Sequence, residues 1–349
     1  MKRMVSFTVA ALLVASLVLV ACAPKKAEPA APAAKSFRIG LVTDLGGIDD
    51  KSFNQGTWEG VVRFGTENGL KKDADYKYLQ SAAEADYIPN LSTFSDEKLD
   101  LIVAPGFLFE KSLEEVAGKY PDNKYLIIDA VVNKPNVASA VFAEHEGSFL
   151  VGVAAGLKAK ADGKKVVGFI GGMQFPLIER FQAGFEQGVK AVFPECKILA
   201  DYAGDFGAPD KGQAIAQKQF NAGAYIIFHA AGGTGNGMIK EAKERASKGD
   251  TRWAIGVDKD QFQDGVYGDK SAILTSMMKR VDVAAHDVAK LTMDGKFPAG
   301  QTLVFAIANK GVGIPEKNPN LSDDIVAKIR EYDAKIADGS LKVSEIPMK

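Results

Sequence analysis

Aromatic and acidic side chains recur at the ends of predicted strands in this 349-residue chain. Phe53 and Phe206 follow strands in the two halves of the chain, and Asp129 and Asp258 each stand at a strand terminus. An aromatic ring stacks on any planar base and contributes about 1–3 kcal/mol per base. A carboxylate accepts two hydroxyl protons through charge-assisted hydrogen bonds. These residue types suit a small molecule with a flat face and neighbouring hydroxyl groups, such as a nucleoside, whereas a bare sugar needs only one aromatic platform.

The elements that position these residues alternate between short apolar runs and amphipathic stretches. The pattern predicts strands at 37–43, 77–80, 99–104, 124–130, 136–142, 166–172, 197–203, 224–230, 253–258, 271–278 and 302–307. It predicts helices at 52–69, 86–95, 109–119, 146–160, 177–192, 209–222, 235–247, 281–294 and 322–338. Continuous apolar strands that alternate with helices indicate parallel sheets covered on both faces. Open sheets of this kind bind ligands at the carboxyl ends of their strands.

The chain length favours two lobes rather than a single core. We therefore predict an α/β fold with two doubly wound parallel-sheet lobes joined by crossover strands. The elements after residue 268 are too few for a third domain. The prediction places 37–142 with 269–298 in an N-terminal lobe, and 143–268 with 299–349 in a C-terminal lobe. The strand at 271–278 then belongs to the first lobe and the strand at 302–307 to the second.

The first 36 residues have a different composition from the rest. Lys2 and Arg3 precede an apolar stretch at 5–21 that ends in small residues, which is typical of an export signal. The ending Leu-Val-Ala-Cys at 19–22 resembles a bacterial lipobox, in which the cysteine is lipidated and becomes the new N-terminus. We predict a signal peptide at 1–21, a lipidated Cys22 and a flexible Pro/Ala/Lys-rich tether over 22–36. An uncleaved membrane anchor is the alternative. The lipid would hold the protein at the cell membrane, facing the periplasm or the outside.

Composition and charge exclude several classes of function. The net charge is −1 with no basic stripe, so we expect no nucleic-acid partner. If Cys22 carries lipid, Cys196 is left without a partner for an intramolecular disulfide. The three histidines, His145, His229 and His286, lack the spacing of metal ligands, so we expect neither a metal nor a cofactor.

Two loops that follow predicted strands carry local signals. Asp50 or Ser52 is suited to cap the first helix. The string Gly-Gly-Thr-Gly-Asn-Gly at 232–237 looks like a phosphate cradle but lacks the Lys-Ser/Thr pair of a P-loop. It favours close approach of the backbone to a ligand or to the facing lobe.

Six motifs, taken together and in order, resemble the basic membrane protein (BMP) family of substrate-binding lipoproteins. The resemblance covers essentially all of 37–345 and is carried by TDLGGIDDKSFNQG (43–56), GFIGG (168–172), YAGDFGAPDKG (202–212), HAAGGTGNG (229–237), IGVDKDQ (255–261) and TSMMKRVD (275–282). It implies a fold like that of type I periplasmic binding proteins. It also implies the capture of purine nucleosides (inosine, guanosine or adenosine) and their delivery to the permease of an ABC transporter. We expect the protein to be a monomer and not an enzyme.

The resemblance further implies which residues hold the base. Phe53 and Phe206 would sandwich it, and Asn54 and Asp129 would bond its edge. From the sequence alone, each phenylalanine could instead pack into the core, and Asp129 could be a simple turn or cap residue.

The ribose would be held by a second group of residues. The resemblance assigns this role to Asp258 and Lys279, together with the backbone of Gly232 and Gly233, and places Asp44 in the same pocket. Asp258 could instead cap the next helix, and Asp44 and Lys279 could contact each other or the hinge.

Two other functions remain alternatives at this stage. The stretch 43–50 superficially resembles the calcium motif of nucleoside hydrolases, but Val42 stands where the first carboxylate is needed and an extra residue separates Asp44 from Asp49. A hard cation needs about six oxygen ligands, which this loop no longer supplies. The other alternative is a sugar-binding or sensing lipoprotein of the same fold.

Overall fold

The computed structural model of the chain describes residues 36–348. The predicted signal peptide, the lipidation site Cys22 and the tether up to residue 35 therefore lie outside the described residues. Within 36–348, every helix is too short or too polar to cross a membrane.

The described chain contains fourteen strands and nine α-helices. The strands are β1 Ile39–Val42, β2 Tyr76–Leu79, β3 Leu101–Pro105, β4 Tyr125–Ile128, β5 Val137–Phe142, β6 Val166–Gly171, β7 Lys197–Tyr202, β8 Ile226–Ala230, β9 Trp253–Asp258, β10 Val266–Tyr267, β11 Lys270–Ser271, β12 Ile273–Lys279, β13 Thr302–Phe305 and β14 Val312–Gly313. The helices are α1 Phe53–Glu67, α2 Tyr87–Asp96, α3 Glu110–Lys119, α4 Glu144–Ala161, α5 Pro176–Val192, α6 Pro209–Asn221, α7 Gly233–Ser247, α8 Val281–Met293 and α9 Asp323–Ala337.

Two six-stranded sheets form the centres of two lobes. The first has the order β13-β5-β4-β3-β1-β2 and is parallel throughout. The second has the order β14-β12-β9-β8-β6-β7 and is parallel except for the edge strand β14. The remaining pair, β10 and β11, forms a small antiparallel hairpin. This architecture confirms the predicted fold class.

The placement of two strands was wrong. The predicted strand 271–278 is β12, which pairs with β9 in the second sheet, and the predicted strand 302–307 is β13, which pairs with β5 in the first. Helix α8 packs on α1 in the first lobe. The first lobe thus consists of 37–142 and 281–305, and the second of 143–280 and 306–348. An apolar run predicts that a strand is buried, but it does not show which sheet the strand joins. Here the chain passes to the other lobe after β12 and again after β13, whereas the prediction had it pass before each of these strands.

The core follows the periodicity of the sequence. Strand β1 is buried along its whole length, as expected for a central parallel strand. Helix α1 buries Trp58, Val61 and Phe64 on one face, because apolar residues three or four positions apart share a side of a helix. Packed cores thus support the carboxyl ends of the strands in both sheets, and these ends face the same cleft.

Candidate functional site

A cavity lies between the two lobes, at the carboxyl ends of their parallel strands. Its enclosed volume is about 50 Å³, smaller than a typical small-molecule site, so the lobes must part before a ligand of that size can enter. Both lobes and the crossovers supply the lining residues: Asp44, Gly46, Asp50, Phe53, Asn54, Gly106, Phe107, Asp129, Leu177, Ile178, Phe181, Phe206, Ala230, Ala231, Gly232, Val257, Asp258 and Lys279.

The structure brings together all of the predicted ligand-binding residues except one. Gly233 begins helix α7 and is absent from the lining; a side chain there would approach the carbonyl oxygens of Phe206 and Gly46 instead. Its place supports close approach of the facing lobe rather than direct contact with a ligand.

Asp129 and Lys279 form a buried ion pair at the base of the cavity. Lys279 Nζ lies 2.5 Å from Asp129 Oδ2 and 3.4 Å from Glu144 Oε1. Glu144 is the first residue of helix α4, where the chain passes from the first lobe to the second. Asp129 Oδ1 is buried and has no hydrogen-bond partner within the described part of the chain. A buried acceptor without a donor is costly, so this oxygen is suited to receive a proton donor from a ligand.

The Lys279 ammonium is also surrounded by aromatic rings. It lies 5.1 Å from the ring centroids of Phe53 and Phe142 and 5.3 Å from that of Phe181. Distances below about 6 Å allow cation–π attraction, which strengthens where water is excluded. The rings and the carboxylates together hold the ammonium in one place.

Burial shifts the acid–base behaviour of this cluster. Burial raises the pKa of Asp258 to about 7. The Lys279 cation acts to lower this pKa, whereas the neighbouring carboxylates of Asp129 and Asp50 add to the increase. Burial likewise raises the pKa of Glu144 to about 7. For Lys279, burial alone would lower the pKa, but the carboxylates of Asp129, Glu144 and Asp258 outweigh it, so that the pKa is raised. The lysine is therefore a permanent cation, while Asp258 and Glu144 titrate near neutral pH.

The loop between β1 and α1 is held by its own side chains. The Asp50 carboxylate accepts the backbone N–H groups of Ser52, Asn54 and Gln55, which confirms that Asp50 caps α1. Asn54 Nδ2 donates to Asp44 Oδ1 at 2.7 Å and to Asp50 Oδ2 at 3.0 Å. Both amide protons of Asn54 are thus engaged, and only its oxygen, which already accepts from the Asp44 N–H, has capacity left for a ligand. Burial raises the pKa of Asp44 to about 6.

Aromatic rings reach the cavity from both lobes. Phe53 and Phe206 are half-buried and pack with one side against the core. A third ring, Phe107, meets Phe206 edge to face at 6.0 Å and stacks on Phe175 at 4.4 Å. Phe107 follows β3, so the strand-end rule that nominated the other residues would also have found it. Phe181, on α5, carries no such signal, because helix periodicity does not show which face turns toward a cleft.

None of the three histidines lines the cavity. His286 lies near the surface between Glu67 and Asp287, and His229 is buried in the second lobe. Among residues 36–348, no group of three or more His, Cys, Asp or Glu side chains is placed to hold a metal ion.

Comparison with known proteins agrees with this geometry. Residues 37–346 match the family model described as ABC transporter substrate-binding protein PnrA-like. The chain is 42% identical over 358 residues to the CD4+ T-cell-stimulating antigen of Listeria innocua, covering 99% of each. It is 36% identical over 354 residues to the ABC transporter nucleoside-binding protein BmpA of Lactococcus lactis subsp. cremoris, covering 98% of this chain and 99% of that protein. A solute-binding protein of an ABC transporter system from Aeropyrum pernix K1 has a crystal structure that matches with a TM-score of 0.79 at 28% identity, covering 90% of this chain and 94% of that one.

Proposed function

This chain belongs to the family of PnrA-like ABC transporter substrate-binding proteins, and we propose that its ligand is a purine nucleoside. One observation carries the proposal: phenyl rings from both lobes share a single cavity with buried acids at strand ends. The rings can stack on a flat base, and the carboxylates can accept hydrogen bonds from the hydroxyl groups of a ribose. The similarity to a protein named as nucleoside-binding supports the same ligand class.

The base lies between Phe53 of the first lobe and Phe206 of the second in this proposal. Asp129 Oδ1, which has no donor within the described residues, would accept an N–H proton from the edge of the base. Inosine and guanosine carry such a proton on the six-membered ring. The Asn54 oxygen would accept a second N–H proton, from the exocyclic amine of guanosine, whereas its amide protons stay with Asp44 and Asp50.

The ribose lies toward Asp258 in this proposal. Ionised Asp258 accepts the 2′- and 3′-hydroxyl protons, and each such charge-assisted bond contributes about 1.5–3 kcal/mol. Lys279 stays in its ion pair with Asp129 and orients that carboxylate, and the backbone around Gly232 approaches the sugar. No bond is made or broken, so the protein acts as a receptor rather than an enzyme.

Ligand capture then works by a shift of population between open and closed lobes. A ligand that contacts both lobes binds the closed form more tightly, and it favours that form only by this difference in affinity. The closed, loaded receptor would deliver its nucleoside to the permease of an ABC importer. Lipid at Cys22 would keep it at the outer face of the cell membrane, within reach of that permease.

Isothermal titration tests the ligand class directly. The protein is titrated with guanosine, inosine, cytidine and ribose while the solution is assayed for free base. Heat with the purine nucleosides and no released base is the expected result. Release of base would instead identify a hydrolase, and heat with ribose alone would identify a sugar receptor.

A further inference from the structure

Two side-chain amides of the second lobe hold the loop that carries part of the site in the first lobe. Asn236 Nδ2 donates to the carbonyl oxygen of Asp50 at 3.2 Å, and Gln261 Nε2 donates to that of Lys51 at 3.2 Å. The two carbonyls belong to consecutive residues, and only Ser52 separates these residues from helix α1. We infer that Asn236 and Gln261 form an interlobe latch that sets how long the closed form persists.

Gln261 is fixed in the orientation that the latch needs. Its Oε1 accepts the backbone N–H of Val257 at 2.9 Å and lies 3.0 Å from His229 Nε2. Because that oxygen is committed to its own lobe, the amide nitrogen must face outward, toward Lys51. The whole Gln261 side chain is buried, so the amide has no water with which to exchange partners.

The His229 ring also holds the Gln261 side chain in this orientation. Burial lowers the pKa of His229 to about 4, so the ring is neutral at physiological pH. A neutral ring next to an acceptor oxygen carries its proton on Nε2, which donates to Gln261. A side chain at Gly235 would place its Cβ 1.9 Å from His229 Nδ1, so the ring fits only because this position is glycine. Part of the glycine-rich string thus serves the latch rather than a phosphate.

The latch acts on residues that line the cavity without touching a ligand itself. The carbonyl that Asn236 holds belongs to Asp50, whose carboxylate caps α1 and bonds Asn54. Closing the lobes and fixing the loop at 44–54 are therefore a single event. Residues that hold only the closed form raise its population and slow its opening, which lengthens the lifetime of any bound ligand.

Two variants each remove one of the two latch bonds and keep the hydrogen bonds within the second lobe. Asn236→Ala deletes a side chain whose amide donates across the cleft. Gln261→Glu, studied at pH 8, keeps an oxygen for Val257 and His229 but replaces the donor facing Lys51 with a second acceptor. The matched control is Gln217→Ala, which removes an exposed amide that bonds Glu241 within the second lobe.

The first measurement is hydrogen–deuterium exchange of residues 44–54 in the ligand-free proteins. Both latch variants are expected to exchange faster than the parent, and Gln217→Ala at the parental rate. Exchange at the parental rate in both latch variants would overturn the inference. This comparison needs no ligand, so it decides the latch even if the proposed function is wrong.

The second measurement is the dissociation rate of inosine by stopped flow, and it rests on the proposed function. Each latch variant is expected to release inosine about fivefold faster, as the loss of one ordinary hydrogen bond implies. A parent that binds no nucleoside refutes the ligand class and leaves the exchange result standing. If both variants bind inosine but release it at the parental rate, the latch does not set how long the closed form persists.

Discussion

Asp129 and Asp258 occupy equivalent positions in the two lobes. The two sheets have matching strand orders in which β4 of the first corresponds to β9 of the second, and each aspartate stands at the carboxyl end of its strand. Both have left-handed backbones, with φ of 69° and 65°. Aspartate tolerates this region better than most residues because its short side chain can bond locally. Each lobe thus has an aspartate with this same local geometry at the cleft.

Replacing Asp258 tests the proposed ribose contact. The left-handed backbone makes Asp258→Asn a cleaner change than Asp258→Ala, because alanine would add strain at this position. Asparagine replaces one charged acceptor oxygen with a donor. Inosine is expected to bind about 10- to 100-fold more weakly by isothermal titration, since hydrogen bonds to a charged group contribute about 1.5–3 kcal/mol.

Its control is Asp269→Asn, which changes an exposed aspartate in the turn between β10 and β11. The parent should also bind 2′-deoxyinosine more weakly than inosine, because a site that bonds a hydroxyl penalises its absence. In Asp258→Asn this preference should shrink. An unchanged preference would place the 2′-hydroxyl elsewhere.

Lys279 is expected to be essential for stability. Lys279→Met leaves Asp129 and Glu144 as neighbouring buried carboxylates without a cation. Breaking a buried ion pair on one side typically costs about 3–5 kcal/mol. The free energy of unfolding, from urea titration of the ligand-free protein, should fall by that amount. Adding Glu144→Gln should restore part of the loss, because one of the two buried charges is then absent.

The matched control removes a lysine from an exposed pair. Lys259 Nζ lies 2.5 Å from Glu59 Oε1, and both side chains are partly in solvent. Lys259→Met should change the free energy of unfolding by less than about 1 kcal/mol. If Lys279→Met and Lys259→Met lowered the free energy of unfolding equally, burial would not increase the contribution of the Lys279 ion pair to stability.

The sequence predicted the elements of the fold well but not how they are shared between the sheets. The longer strands and the α-helices were found to within a few residues, because apolar periodicity depends on local burial. The two-residue strands β10, β11 and β14 were not predicted. Strands β12 and β13 were placed in the wrong lobes, since both sheets offer a parallel strand the same apolar surroundings. Sheet membership depends on long-range pairing, which leaves no mark on a single strand.

The site was predictable wherever it is built from strand ends. That rule located Asp129, Phe206 and Asp258, and it would also have located Phe107. It could not reveal Glu144, which is buried behind the cavity at the start of α4 and acts through Lys279. Nor could it show that both amide protons of Asn54 are taken by its own loop.

The buried acids predict an inverse dependence of stability on pH. The pKa values of Asp44, Glu144 and Asp258 are raised to about 6, 7 and 7, above their ordinary values near 4. Between pH 4 and 7 the folded protein therefore binds more protons than the unfolded chain. The stability from these groups is full below pH 4 and is lost as the pH rises through 6 to 7.

Calorimetry of the ligand-free protein between pH 5 and 8 measures this trend. The unfolding temperature should fall as the pH rises, and the slope should be shallower in Asp258→Asn. Affinity for inosine should change in the opposite direction, because an ionised Asp258 is the better acceptor for hydroxyl protons. An unfolding temperature that rises from pH 5 to 8 would show that these carboxylates do not dominate the pH dependence of stability.

Gly172 gives a way to displace the Phe206 ring without removing it. A Cβ at this position would lie 2.2 Å from Cε1 and 2.4 Å from Cδ1 of Phe206, so Gly172→Ala must push the ring away from its present place. The ring is half-buried and can move without opening the core. Inosine should bind about 5- to 100-fold more weakly, which corresponds to the loss of one stacking contact.

Gly313→Ala is the control, because no atom lies within 4 Å of the added Cβ. Thermal unfolding should show that both variants remain folded, so that the difference appears only in titrations with nucleoside. Parental affinity in a folded Gly172→Ala protein would mean that the Phe206 ring does not support the base. The ring contributed by the second lobe would then have to be Phe181, which also lines the cavity.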